Sequence, residues 1–182
     1  MPNWCSNVVV ISHIEPSKLD DIRNAVKVAA ESNGGEHFFN GLVPRPLSEA
    51  DNWYDWNVSN WGSKWDVEPQ ITEDTGDSIT LTFESAWAPP IQFYNELVER
   101  DYEVRAFYDE SGMAFAGVYD NGDDQCFQYG DMTADEISDY LPEELDEMFA
   151  ISEQKADWES ENEEDDGQPD EDQEWHDFDP EC

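Results

Sequence analysis

The chain has 182 residues, of which 38% are hydrophobic and 13% aromatic, too many for a wholly disordered protein. Residues 1–105 carry 18 acidic and 7 basic side chains, whereas residues 106–182 carry 28 acidic side chains and one basic side chain, for a total net charge of -38. This distribution excludes direct binding of the second part to DNA, RNA or an anionic membrane, because like charges repel.

The N-terminus lacks a basic segment, and its apolar run, Val8–Ile11, has only four residues, too few for a signal peptide or a membrane span. The three cysteines, Cys5, Cys126 and Cys182, have no CxxC spacing and are too few for a disulfide framework. We therefore expect a cytoplasmic protein that has reduced thiols and no contact with a membrane.

The first half of the chain begins with a short β-branched segment, 7–12, that is typical of a buried strand. A helix is predicted after Pro16-Ser17, because apolar residues recur at spacings of three or four from Leu19 onward. Asn33-Gly34-Gly35 ends this helix. After a loop comes a tryptophan-rich insert, 47–70, for which we predict no regular secondary structure.

The next part alternates apolar and polar residues over 78–87, the pattern of a half-buried strand. Pro89-Pro90 begins a second amphipathic helix. Two strands follow at 102–109 and 113–120, and a further strand is predicted at 125–129 after the Asn121-Gly122 turn.

This order of elements predicts an α+β fold. A split βαβ sandwich of the ferredoxin-like type, with two helices on one face of a mainly antiparallel sheet, fits it over residues 1–130.

The remaining residues form an acidic helical extension, 131–160, and an acidic tail, 161–182. Thr133 and Glu136 have the spacing of a capping box, and a long helix is predicted over 142–160. We expect one apolar stripe to dock that helix on the sheet; the stripe consists of Leu145, Met148, Phe149, Ser152 and Ala156.

Five segments resemble the YubB-like family of plasmid- and phage-borne proteins. They are MPNWCSN at 1–7, FFNGLVPRP at 38–46, NWGSKWDV at 60–67, FESAWAPP at 83–90 and YDESGMAFAG at 108–117. The resemblance spans about residues 1–120 and implies a ferredoxin-like fold and an origin on a mobile element. It brings no catalytic residues, and it does not reach the acidic C-terminal region.

The tryptophan-rich insert has two interpretations. Its rings, together with Trp4 and Trp87, could form an aromatic pocket for a peptide or a small ligand, with the Lys64 ammonium over ring faces. The rings of the insert are Trp53, Trp56, Trp61 and Trp65, and the main candidates are Trp61, Lys64, Trp65 and Trp87. Alternatively, the rings only fix a long insert to the sheet. Stacking of nucleic-acid bases is excluded, because too few cations surround the rings.

Catalytic and metal-binding patterns do not emerge. The three histidines, His13, His37 and His176, are scattered, and with 46 acids any carboxylate spacing arises by chance. The segment 120–131 superficially resembles a calcium loop, but its glycine and its last acid are at the wrong offsets, which favours a hairpin turn. We predict no enzyme activity, no cofactor and no metal site.

The acidic C-terminal region leads to the main functional hypothesis. Carboxylates held on a helix approximate a row of DNA phosphates, so the region could occupy the basic groove of a DNA-binding protein. The phosphate substitutes would be Glu143, Glu144, Asp146, Glu147, Glu153, Asp157, Glu159, Glu161, Glu163, Glu164, Asp165 and Asp166, and the aromatic residues Trp158, Trp175 and Phe178 would anchor the region to the body or to the partner.

The predicted protein is thus a DNA mimic from a phage or another mobile element. It would inhibit a basic host protein that handles DNA, such as a restriction, CRISPR or other defence component. The alternatives are that the acidity only confers solubility, with the tryptophan-rich insert binding a peptide or small ligand, or that it reflects a high-salt habitat. A homodimer is compatible with either function.

Overall fold

The structure, a computed structural model, describes residues 3–32 and 37–165, with side chains described as far as residue 162. It has six strands and seven α-helices within these residues, and the predicted α+β class is confirmed. In chain order the elements are β1 (Trp4–Ser12), α1 (Leu19–Glu31), α2 (Phe38–Leu42), α3 (Trp53–Trp61), β2 (Gln70–Asp74), β3 (Ser78–Ala86), α4 (Ile91–Val98), β4 (Glu103–Glu110), β5 (Phe115–Asp120), β6 (Asp123–Gln128), α5 (Ala134–Tyr140), α6 (Glu143–Phe149) and α7 (Ile151–Asp165).

The six strands form one sheet in the order β2-β3-β1-β4-β5-β6, and every neighbouring pair is antiparallel. The β1 strand lies inside the sheet, where Val9 is opposite Leu81 of β3 on one side and Ala106 of β4 on the other. Strand β2 was not predicted. All five of its residues are exposed, so no alternation of apolar and polar residues marks it.

The larger core lies on one face of this sheet, under helices α1 to α4. Side chains on a strand point alternately to the two faces, so every second residue of β1 and β3 is buried there. The alternation of apolar and polar residues predicted this for β3. The predicted spacing of the first helix is confirmed, because Leu19, Ile22 and Val26 are buried against the sheet.

The smaller core lies on the opposite face of β4 and β5, under helices α5 to α7. Phe107 and Ala116 from the sheet pack there with Ile137, Leu141 and Leu145 from the helices. The capping box at the start of α5 is confirmed: the Glu136 N–H donates to the Thr133 hydroxyl, and the Thr133 N–H donates to the Glu136 carboxylate. The acidic helices therefore share a core with the sheet.

The single helix predicted over 142–160 is wrong, because the chain breaks at Ala150, whose φ of 52° is left-handed. The carboxylate of Asp146 accepts hydrogen bonds from the N–H and the hydroxyl of Ser152, which caps the start of α7. Of the predicted apolar stripe, only Leu145 is fully buried. Ile151, which the stripe did not include, is buried beside it in the smaller core.

The tryptophan-rich insert contains a regular helix, α3, so the prediction of no secondary structure there is also wrong. This helix ends at Gly62, whose φ of 82° favours glycine. A Cβ atom at this position would lie 3.1 Å from the backbone nitrogen of Ile91, so glycine also allows α3 to approach the start of α4 closely.

No helix within residues 3–32 and 37–165 combines the length and the apolar character that crossing a bilayer requires.

Candidate functional site

Trp61, at the end of α3, belongs to the larger core and is 2% exposed. Its ring packs against Phe39 and Trp56, with centroids 5.7 and 5.5 Å away. Its indole N–H donates a hydrogen bond to the carbonyl oxygen of Val43 at 3.0 Å. A buried indole that satisfies its donor fixes the insert to the sheet.

Lys64 and Trp65 form the cation–π contact that the spacing suggested. The Lys64 ammonium lies 4.6 Å from the centroid of the Trp65 ring and 5.8 Å from that of Tyr54. Trp87 is separate from this group: it is 48% exposed, adopts a φ of 74°, and donates its backbone N–H to the carbonyl of Asn3.

A cavity of about 350 Å³ opens beside α3, and we call it the tryptophan cavity. Three residues of the predicted aromatic pocket, Trp53, Trp61 and Trp65, line it, whereas Lys64 and Trp87 are not among its lining residues. The complete lining is His37, Asn40, Arg45, Trp53, Asn57, Trp61, Trp65 and Asp66.

Sequence reasoning missed most of this lining, although one signal was present. Trp53, Asn57 and Trp61 are spaced four residues apart, and that spacing places them on one face of a helix. Recognising α3 would have brought these three side chains together. Arg45 and Asp66 come from outside the helix, and no local pattern marks them.

The polar side of the tryptophan cavity is built around Arg45. Its Nη1 donates to Oδ1 of Asn57 at 2.9 Å, and its backbone N–H donates to Oδ1 of Asn40 at 2.9 Å. Asn57 is buried, and its amide nitrogen donates to the carbonyl of Lys64 at 2.9 Å. Among the side chains of residues 3–32 and 37–162, no carboxylate forms an ion pair with Arg45.

Asp66 contributes a carboxylate to the same cavity. It accepts hydrogen bonds from the backbone N–H groups of Phe39, Asn40 and Val67, at 2.6, 2.9 and 2.8 Å respectively. Burial raises the pKa of Asp66, although these three hydrogen bonds act in the opposite direction. The carboxylate thereby joins the start of α2 to the insert.

A second cavity, of about 480 Å³, lies between α1 and the C-terminal end of α4. Lys18 and Arg100 line it together with His37, which lines both cavities. The Arg100 guanidinium is already engaged, because it donates to the carbonyl of Leu42 at 2.6 Å and to Glu96 at 3.4 Å.

The acidic helices present one ordered row of carboxylates on α7. Glu153, Asp157 and Glu161, which we call the acidic row, are all exposed and are spaced four residues apart. The opposite side of the helix, which begins with buried Ile151, packs against α5.

Trp158 lies next to the acidic row and is 57% exposed. Its ring carries the Lys155 ammonium at 4.3 Å from the centroid. The indole of Trp158 is therefore not part of the smaller core.

Three of the other predicted phosphate substitutes have partners within the chain. Glu144 pairs with Arg105, Asp146 caps α7, and Glu159 lies 4.0 Å from Lys155 and accepts from the Ala134 N–H at 3.4 Å. Glu143 and Glu147 are exposed on α6. The side chains of Glu163, Glu164 and Asp165 lie outside the described residues, as do Asp166, Trp175 and Phe178.

The part of the chain that the structure describes brings no three His, Cys, Asp or Glu side chains together as a metal site. The ring of His13 packs edge-on against the ring of Tyr102, and the two centroids are 5.0 Å apart. Burial raises the pKa of the Cys5 thiol well above its usual range, so this cysteine is a poor nucleophile.

No protein-family model and no curated protein matches the chain. Among solved structures, the crystal structure of a protein api92 from Yersinia pseudotuberculosis, titled with the family model DUF1281, is similar to it. The match covers 71% of this chain and 99% of that chain, with 12% sequence identity and a TM-score of 0.46. A similarity this low carries no information about the function of the chain.

Proposed function

We propose that the protein is a DNA mimic, carried by a phage or plasmid, that binds and inhibits a basic DNA-handling protein in the host cytoplasm. It acts by binding alone. The observation that carries this proposal is the acidic row on α7, which faces solvent beside the exposed ring of Trp158.

The spacing of the acidic row supports the comparison with DNA. Residues four apart on a helix are separated by about 6 Å along its axis, at about 1.5 Å per residue. One strand of duplex DNA presents a phosphate about every 3.4 Å of axis. The row alone therefore has about half the linear charge density of one strand, and Glu143 and Glu147 on α6 add further exposed carboxylates.

The packing of α6 and α7 also supports the proposal of DNA mimicry. Buried Leu145 and Ile151 dock α6 and α7 on the sheet, and Asp146 caps α7. Charges on a docked helix need no ordering when a partner binds, which lowers the entropic cost of association. Trp158 offers that partner an aromatic contact of the kind that dominates binding energy at protein interfaces.

The order of the first four strands supports a ferredoxin-like fold as part of the same proposal. Strands β2-β3-β1-β4 are adjacent in the sheet, and a helix follows each of β1 and β3, as in a split βαβ unit. Strands β5 and β6 and helices α5 to α7 would then be additions to that unit. We also propose that the chain belongs to the YubB-like family.

The test compares two variants that each remove three charges. Glu153→Gln/Asp157→Asn/Glu161→Gln neutralises the acidic row, and Glu73→Gln/Asp77→Asn/Glu99→Gln is the control on exposed acids elsewhere. Each protein is immobilised, exposed to host lysate at low salt, and eluted with salt or with duplex DNA. Point changes are preferable to removal of the helices, because removal would expose Phe107 in the smaller core.

We expect the unchanged chain and the control to retain DNA-binding proteins that duplex DNA elutes, and the acidic-row variant to lose most of them. Retention that is equal in all three proteins, or that duplex DNA does not reverse, would contradict mimicry.

A further inference from the structure

The indoles of the tryptophan cavity are supported from outside the cavity. Each of the three packs against an aromatic ring that does not line the cavity, and this contact holds its orientation. Rigid, supported rings bind planar ligands at a low entropic cost. The supporting pairs are Trp53 with Tyr54, Trp61 with Phe39 and Trp56, and Trp65 with Trp4.

The guanidinium of Arg45 supplies a charge to the same cavity. It is held by the neutral amide of Asn57 in a chain with 46 acidic residues, and the side chains described within 3–32 and 37–162 give it no carboxylate partner. A positioned arginine with unused N–H donors is suited to a carboxylate or a phosphate, which it binds through two parallel hydrogen bonds.

The size of the cavity limits what it can hold. At about 350 Å³ it is near the lower end of the range for ligand pockets, roughly 300–1,000 Å³. One or two fused rings with a single substituent fit this volume, whereas an extended peptide does not. A small molecule is thus favoured over a peptide.

We propose that the tryptophan cavity binds a small planar ring that carries one anionic group, either a carboxylate or a phosphate. The ring lies beside the indoles of Trp53 and Trp65, against the small exposed part of Trp61, and the anionic group pairs with Arg45. Asp66 would repel an anion placed beside it, so the anionic group belongs at the Arg45 end. Among the described residues, Oδ2 of Asp66 accepts from the Asn40 N–H alone and can accept a second hydrogen bond from an N–H of the ring. This site is independent of the acidic row.

Calorimetric titration of the full chain tests the proposal with defined probes. Adenosine 5′-monophosphate and indole-3-acetate are the charged rings with a phosphate and a carboxylate, adenosine and indole are their neutral counterparts, and inorganic phosphate lacks a ring. We expect at least one charged ring to bind with a Kd below about 1 mM, and its neutral counterpart and free phosphate to bind at least about tenfold more weakly.

Three variants assign the binding to this cavity. Arg45→Gln removes the charge, Trp53→Ala removes a ring that is 38% exposed, and Arg100→Gln makes the same charge change in the neighbouring cavity. We expect the first two to weaken binding of the charged ring by about tenfold or more, and Arg100→Gln to leave it unchanged. Circular dichroism checks that each variant is folded. If Arg45→Gln does not fold, the binding measured with Trp53→Ala tests the proposal.

The proposal is overturned if neither charged ring binds, if free phosphate binds as well as the charged ring, or if the folded cavity variants bind as tightly as the unchanged chain.

Discussion

On one face of the sheet Trp61 is 2% exposed and lies within the larger core, whereas on the other face Trp158 is 57% exposed and lies beside the acidic row. Arg45 lines a cavity near Trp61, while Glu153 and Asp157 face solvent near Trp158. Trp61 is therefore mainly a core residue of which only a small part lines the tryptophan cavity, whereas the ring of Trp158 is open to a partner. The difference shows that position, more than composition, decides what these tryptophans can do.

Charge differs between the two sides in the same way. Seven of the eight basic residues precede residue 106, and Lys18, Arg45 and Arg100 line the two cavities on the larger-core side. Residues 1–105 nevertheless carry more acids than bases, so positive charge on this side is local to the cavities. An anionic small ligand would be attracted at those cavities, and a basic protein at the acidic helices.

Replacing each of the two tryptophans tests this difference directly and has the largest expected effect. Trp61→Ala removes a buried ring and leaves a cavity, so we expect a loss of about 3–5 kcal/mol in the free energy of unfolding. Trp158→Ala changes an exposed side chain and is expected to stay within about 0.5 kcal/mol. Urea denaturation measures both, and equal losses would mean that Trp158 is also a core residue.

A titration to alkaline pH tests whether the two cores unfold together. Burial raises the pKa of Tyr94, in the larger core, well above its ordinary value. Burial, together with the hydrogen bond to Asp109, also raises the pKa of Tyr129 in the smaller core. The unfolded chain therefore loses these protons first, near pH ~10, and the stability they contribute is present below that pH and falls above it.

We expect each such tyrosine to lower the free energy of unfolding by up to about 1.4 kcal/mol per pH unit above this point. The exposed tyrosines Tyr54 and Tyr140 are first replaced by phenylalanine, so that tyrosinate absorbance reports the buried ones. Tyrosinate absorbance and tryptophan fluorescence of that variant, followed together against pH, should change in one transition. A separate, earlier tyrosinate step that Tyr129→Phe removes would show that the smaller core opens by itself.

The cap between α6 and α7 gives the smallest expected effect. Asp146→Ala removes the acceptor of two Ser152 hydrogen bonds, and we expect it to cost about 1 kcal/mol. Glu147→Ala, at the next residue and exposed, is the control and should change stability by less than about 0.5 kcal/mol. Thermal denaturation compares the two variants. If they are equally stable, the Asp146 cap does not help to hold the acidic row.

Local patterns allowed much of the fold to be predicted from the sequence. A short β-branched run marked β1, alternation marked β3, and helical spacing marked α1 and α4. The turn at Asn121-Gly122 marked the hairpin of β5 and β6. Each of these signals arises within a few residues, because burial against the sheet repeats with the period of the element.

The features that were missed depend on contacts between distant residues. Ala150 breaks a helix although alanine favours helices, because the Asp146 cap and the burial of Ile151 favour a new helix axis. In the candidate site, Arg45 meets Asn57 only after α3 has folded against the preceding loop. Trp61 and Trp65 were found because tryptophan is conspicuous in any sequence.

The two outermost strands of the sheet have a consequence for association between copies of the protein. Strands β2 and β6 each have one strand neighbour, and an edge of this kind can template pairing with another chain. Glu73 on β2 and Asp123 on β6 would bring like charges together if two copies joined edge to edge. The carboxylates thus direct any self-association away from the sheet edges.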